Sequence, residues 1–295
     1  MPRALPVNAN LRGRSDEFVA TTRDRWGRIL APIRFNGQGP FHLVVNTGAN
    51  ASVVTERVAR TLGSALEMRP SVLIHGVMGS APVRSIRVNS ASLGGTQMSV
   101  TSVPVIADAT DCADGFLALL GFTDKPVLID FQRNKLALLG SARFKGSSRR
   151  TEKLRLDLSH RQLPIIPTRV HRVAVKAVID TGLVSSVCNS ALRNILDRAE
   201  VSTRSATADT WGTESVSAQV SDAPLSVPLF ELGALRILGM RISSIDVPLF
   251  GHVNLLEEPA MLLGMDVLGQ FEQIILDYAG KTAQFLPRMN VATGR

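Results

Sequence analysis

Short apolar runs broken by turn residues dominate the chain, and two of them end on nearly the same tripeptide. One is Phe41-His42-Leu43-Val44-Val45, followed by Asn46-Thr47-Gly48; the other is Val173-Ala174-Val175-Lys176-Ala177-Val178-Ile179, followed by Asp180-Thr181-Gly182. Runs of this length and β-branched content read as strands. An earlier apolar stretch and a turn precede each run, beginning at Ile29 and at Leu163. After each tripeptide the period changes to 3.6. Val58 and Leu62 fit a helix over Thr55–Leu62, with Gly63 in the position that ends one. Leu192, Ile195, Leu196 and Ala199 fit a second helix over Ser190–Ala199.

The parallel continues downstream. A glycine-bearing turn follows each helix: His75-Gly76-Val77-Met78-Gly79-Ser80, then Thr210-Trp211-Gly212-Thr213. Strand-like stretches come next, with turns at Gly94-Gly95 and at Gly233. Each half closes on Leu-Leu-Gly (Leu119-Leu120-Gly121; Leu262-Leu263-Gly264), then on an apolar strand with Asp before an aromatic (Asp130-Phe131; Asp277-Tyr278). Five features in the same order twice describe an internal duplication. Asp130 and Asp277 read as turn residues between strands.

Composition narrows the class. The 295 residues are 45% apolar and 20% charged, enough to bury a core. No apolar stretch is long enough for a membrane helix. Met1 to Leu30, broken by Pro2, Pro6 and scattered charges, lacks the apolar core of a secretory leader. The expected compartment is the cytoplasm by default, or the periplasm or exterior if a leader was removed. Net charge is +8, concentrated in the N-terminal arm and between Arg133 and Arg155. The latter stretch holds Gly140, Gly146, Ser147 and Ser148 and a single aromatic, Phe144, so a solvated linker is expected there rather than a nucleic-acid surface. Cys112 and Cys188 form no CxxC, and the five histidines (His42, His75, His160, His171, His252) make no ligand-spaced pair. No metal and no cofactor is expected.

A strand, Asp-Thr-Gly, a helix, a glycine-bearing turn and a late Leu-Leu-Gly together resemble the retropepsin-like aspartic peptidases. The resemblance runs from about Arg28 to Pro287 and looks like bacterial-type proteins with tandem domains of this kind. It implies a mainly β fold of two pseudo-twofold-related lobes, each of about six short strands and one helix, flanking a central substrate cleft. The expected divisions are an N-terminal arm over 1–23, lobes over 24–140 and 154–290, and a basic linker over 141–153. It also implies that Thr47 and Thr181 cross-bond the two loops, that positions 46 and 180 form the catalytic pair, and that peptides or proteins are the substrates. Gly48 and Gly182 let the backbone approach the carboxyls. Gly76, Met78, Gly79, Trp211 and Gly212 are the candidate flap residues, although Trp211 also reads as hairpin packing. With both halves on one chain, a monomer is expected.

The departure is Asn46. Two carboxyls at close range share one proton; the ionised one activates water and the protonated one donates to the scissile carbonyl. An amide nearly matches a carboxylate in shape but cannot exchange that proton. The chain as written is therefore expected to be inactive or crippled as a peptidase. Two readings stay open: a peptidase switched off at position 46, or a non-catalytic module that binds extended peptides. Leu183, in place of the small residue usual after the glycine, is expected to narrow the space beside Asp180.

Overall fold

The computed structural model describes residues 17–63, 68–76, 79–98, 102–108, 113–122, 124–140, 151–199, 203–204, 225–244, 248–288 and 292–293. The fold is mainly β. The run that ends at Asn46 is the strand Gln38–Asn46, hairpinned on Ile29–Phe35 through Asn36-Gly37. Its far edge runs parallel to Gly115–Ala118, with Val44, Val45 and Asn46 opposite Phe116, Leu117 and Ala118. Leu43, Val44 and Val45 are fully buried, so both faces of the strand's end are covered. That is why this stretch is continuously apolar rather than alternating. Burying each such side chain is worth roughly 1.5–3 kcal/mol.

The second run has the same neighbours in kind. Val173–Ile179 hairpins on Ile165–Val170 and runs parallel to Ala260–Leu263, with Ile179 opposite Leu263. Val53–Thr55 lies antiparallel to Gly115–Ala118, as Val187–Cys188 does to Ala260–Leu263. These strands belong to a ten-stranded sheet in the N-terminal part and an eight-stranded sheet in the C-terminal part. The two-residue turns expected at Gly94-Gly95 and at Gly233 close hairpins there, with Leu93 opposite Thr96 and Leu232 opposite Leu235.

A third, six-stranded sheet joins the two ends of the chain. Its order is Glu17–Ala20, Lys135–Leu138, Val127–Asp130, Phe271–Asp277, Thr282–Pro287, Glu152–Arg155, antiparallel throughout. Val127–Asp130 and Phe271–Asp277 meet at its centre, where the Gln273 amide donates to the Asp130 carboxylate at 2.8 Å. Asp130 also accepts from the N–H of Gln132 and Arg133, and Asp277 from Gly280, so both act as turn residues. Residues 17–23, read from sequence as part of an arm, form strands. Within the stretch read as a linker, 141–150 lies outside the described residues and Glu152 opens an edge strand.

The expected strand number is too low. Between Ile29 and Leu138 eleven strands are described, and short helices at Pro248–His252 and Met265–Leu268 add to the one expected in the C-terminal part. Many of these strands are three or four residues long, too short for periodicity to register. The two long helices lie within a residue or two of expectation, at Glu56–Thr61 and Ser190–Arg198.

Asn189, unremarked in the sequence, is the N-cap of Ser190–Arg198 and is fully buried. Its Oδ1 accepts from the N–H of Leu192 and Ala260, while its Nδ2 donates to the carbonyls of Leu255 and Glu258. Asn189→Ala removes a cap, worth about 1 kcal/mol, and strands buried carbonyls at about 1–3 kcal/mol each. Urea unfolding is expected to show a loss of about 3 kcal/mol or more; a loss under 1 kcal/mol would refute this role.

Candidate functional site

The tripeptides that close the two apolar runs meet. Asn46 is the last residue of its strand, and Asp180 follows directly on Ile179. Thr47 and Thr181 are buried and bonded reciprocally. The Thr47 N–H donates to Thr181 Oγ1 at 3.2 Å and the Thr181 N–H to Thr47 Oγ1 at 3.1 Å. Each hydroxyl then donates across to the other strand, Thr47 to the Ile179 carbonyl at 2.6 Å and Thr181 to the Val45 carbonyl at 2.7 Å. Four hydrogen bonds thereby satisfy an N–H, a hydroxyl and a carbonyl on each side, so the two loops are held as a unit.

The glycines set how close the loops come. A Cβ on Gly48 would lie 2.4 Å from Asp180 Cγ, and one on Gly182 would lie 2.6 Å from Asn46 Cγ. Each polar side chain therefore rests against the backbone of the opposite loop, in space only glycine leaves open. Positions 46 and 180 are not equivalent, however. The Gly182 N–H donates to Asp180 Oδ1 at 2.9 Å, whereas Asn46 Oδ1 is buried with no hydrogen-bond partner.

Burial dominates the Asp180 electrostatics. The carboxyl is 3% exposed, and desolvation pushes its pKa up from 3.8 to about 6. The N–H groups of Gly182 and Leu183 and the Arg28 guanidinium pull the other way. An unfolded chain gives up this proton near 3.8, while the folded chain keeps it to about 6. Between those values the folded state binds more protons, so stability falls as pH rises and is then level above about 6. The difference amounts to about 3 kcal/mol. Asp180→Asn is expected to remove this component. Urea unfolding at pH 3.5 and pH 7 should show the Asn chain losing about 3 kcal/mol less across the interval, and equal losses would refute it.

A second layer of bonds stands behind each loop, and sequence reasoning passed over it. Ser52 and Ser186 occupy the same offset after the two tripeptides. Ser52 Oγ accepts from the Ala118 N–H and Ser186 Oγ from the Gly264 N–H, both at 3.0 Å. Ser186 N–H and Oγ both donate to Asp266 Oδ1, and burial raises the Asp266 carboxyl. A Cβ on Gly264 would come within 2.8 Å of the Ser185 carbonyl carbon, so the late Leu-Leu-Gly packs where no side chain fits. The repeated serine was a usable signal. Nothing local marks Asp266 as its partner.

Leu183 does not narrow the space beside Asp180. It is 5% exposed and packs in a buried cluster with Leu163, Val178 and Phe250. An apolar side chain at the start of this turn is drawn into the core behind the loop rather than outward. Of the flap candidates, Gly76 and Gly79 face each other at the tip of the hairpin Met68–Gly76 and Gly79–Arg87. Met78, Trp211 and Gly212 lie outside the described residues. Among the described residues no three His, Cys, Asp or Glu side chains group as metal ligands, and no helix is long and apolar enough to cross a membrane.

Residues 31–123 match the family model of the gag-polyprotein putative aspartyl protease. The matched segment contains Asn46-Thr47-Gly48, the hairpin closed by Gly76 and Gly79, and Leu119-Leu120-Gly121. No curated protein matches the chain.

Proposed function

We propose that this chain, a member of the retropepsin-like aspartic protease family through residues 31–123, is an internally duplicated aspartic endopeptidase scaffold whose dyad stands at positions 46 and 180. The lobes are assigned to 24–140 and 154–290, joined through 141–153, with the substrate cleft between them. The observation that carries this reading is the reciprocal Thr47–Thr181 bonding, with each polar side chain seated on the opposite glycine. Such an arrangement aims two groups at one point, where a single water can meet both.

In an active form, the ionised member of the pair takes a proton from water as its oxygen attacks the peptide carbonyl. The neutral member donates a proton to the carbonyl oxygen, giving a tetrahedral intermediate without a covalent enzyme bond. Gly76 and Gly79, with Met78, Trp211 and Gly212, are assigned to cover an extended peptide, which would pair as an added strand. Asn46 supplies no proton, so cleavage by the chain as written is expected to be minimal.

A second reading, a module that holds extended peptides without cutting them, is favoured by Asn46 itself: the fold tolerates a neutral, proton-inert group there. The test is cleavage of a broad peptide library between about pH 4 and 7, with binding followed in parallel, comparing the chain, Asn46→Asp, and Asn46→Asp with Asp180→Asn. Cleavage by Asn46→Asp alone supports the peptidase reading. Binding without cleavage in all three supports the other.

A further inference from the structure

We propose that Arg28 is the positioning residue of this site: held by Asp24, its buried guanidinium braces the Asp180–Gly182 turn and makes Asp180 the ionised member of the pair. The first part stands on geometry, and the assignment of the ionised member rests on the peptidase reading above.

Arg28 is 1% exposed, the first among the largest fully buried side chains of the described residues. Its Nε lies 2.6 Å from Asp24 Oδ2. Asp24 is itself fixed, since its Oδ1 accepts from the N–H of Trp26 and of Arg28, both at 2.9 Å. Gly27, at φ +82°, makes the tight turn that brings the two ends of this pair together. From there Nη1 reaches the Gly182 carbonyl at 3.5 Å, 154 positions along the chain. Nη2 is buried and has no hydrogen-bond partner.

A buried guanidinium is costly unless its charge is compensated and its N–H groups are met. Asp24 compensates the charge through Nε, Nη1 faces the Gly182 carbonyl, and Nη2 is left unmet. Among the described residues, Arg28 is the charged group acting on Asp180. The other neighbours, Asn46, Thr47, Gly48 and Thr181, are neutral. The cation favours the ionised carboxyl, against desolvation.

The pseudo-equivalent position carries no such charge. By strand register, Leu30 opposite Val44 matches Ile165 opposite Val178, which puts Leu163, buried and uncharged, in the place of Arg28. The field across the pair is therefore one-sided. With Asp at position 46, the shared proton would reside mainly on residue 46 and Asp180 would activate the water. Asn46 then mimics the protonated partner, which is why an amide is accommodated there.

The experiment is a ¹³C NMR titration of the Asp180 carboxyl in the chain as it stands, with Arg28→Gln, Arg28→Lys and the charge-balanced pair Asp24→Asn/Arg28→Gln. Loss of the cation is expected to raise the proton affinity of Asp180 about tenfold or more, with partial return in Arg28→Lys. The paired variant guards against misfolding from an unpaired Asp24. In the Asn46→Asp chain, the acid limb of kcat/KM should move to higher pH with Arg28→Gln and return partly with Arg28→Lys. An unmoved Asp180 titration in a folded variant overturns the inference, whatever the activity. A moved titration in a chain that cuts no peptide upholds the bracing role and counts against the peptidase reading alone.

Discussion

Replacing Asn46 by Asp is expected to raise kcat/KM for extended peptides by about 10²–10⁴-fold, the usual worth of one acid–base partner. In a pair that works as a unit the gain is expected toward the upper end. The site is built to accept the change. A carboxyl has the outline of the amide and would rest on Gly182 in the same way, and no hydrogen bond to Asn46 Oδ1 is lost in the exchange. What changes is the proton inventory. Asp180, already pushed up to about 6 by burial, would face a second carboxyl across the loop contact. Two such groups titrate as a pair, with one proton retained over a broad acidic interval. The rate should therefore be bell-shaped in pH, falling where both are protonated and again where both are ionised. Asp180→Asn in the same background should return cleavage to that of the present chain. A folded Asn46→Asp protein with no gain at any pH between about 4 and 7 would remove the peptidase assignment.

Gly48→Ala in the Asn46→Asp chain is expected to return activity nearly to background. The added Cβ would lie 2.4 Å from both Cγ and Oδ2 of Asp180 and 2.9 Å from Oδ1. Neither partner can yield easily. Asp180 is tied by the Gly182 N–H, and both loops are clamped by the threonine bonds one residue away. Relief must come from parting the loops or turning the carboxyl, and either separates the groups that share the proton. A loss of more than about 10²-fold is expected, since misplacement of about 1 Å can cost that much. Overpacking should lower stability by about 1–3 kcal/mol, read as a fall in Tm. Full activity in Gly48→Ala would show that the loops do not meet as described. Thr181→Val would be the milder contrast, removing bonds without filling the gap.

The mainly β character and the two tripeptide-bearing strands were legible because they depend on local chemistry. Leu43-Val44-Val45 is continuously apolar because both faces of its strand are buried, and Leu192 and Leu196 fall one turn apart because one helix face is buried, a face that Ile195, 36% exposed, does not share. Gly94-Gly95 marks its hairpin because the turn needs backbone freedom. Such signals travel with the segment that carries them. They also carry the expectation that the chain repeats itself, with Asn46 and Asp180 as corresponding positions.

Other features arise only from which segments meet. Arg28 reads as one more of the arginines near the start of the chain until folding sets it against Gly182. Asp266 gains its role only when Ser186 is brought to it from 80 positions away. Leu183 points into the core, not the site, because Phe250 and Val178 offer it a dry pocket that no pattern around residue 183 announces. The central sheet pairs Val127–Asp130 with Phe271–Asp277, strands that each look complete alone. Periodicity records how much of a segment is buried and on which face. It does not record what covers it, and the charge, the unmet donor and the desolvation at Asp180 are all properties of the covering.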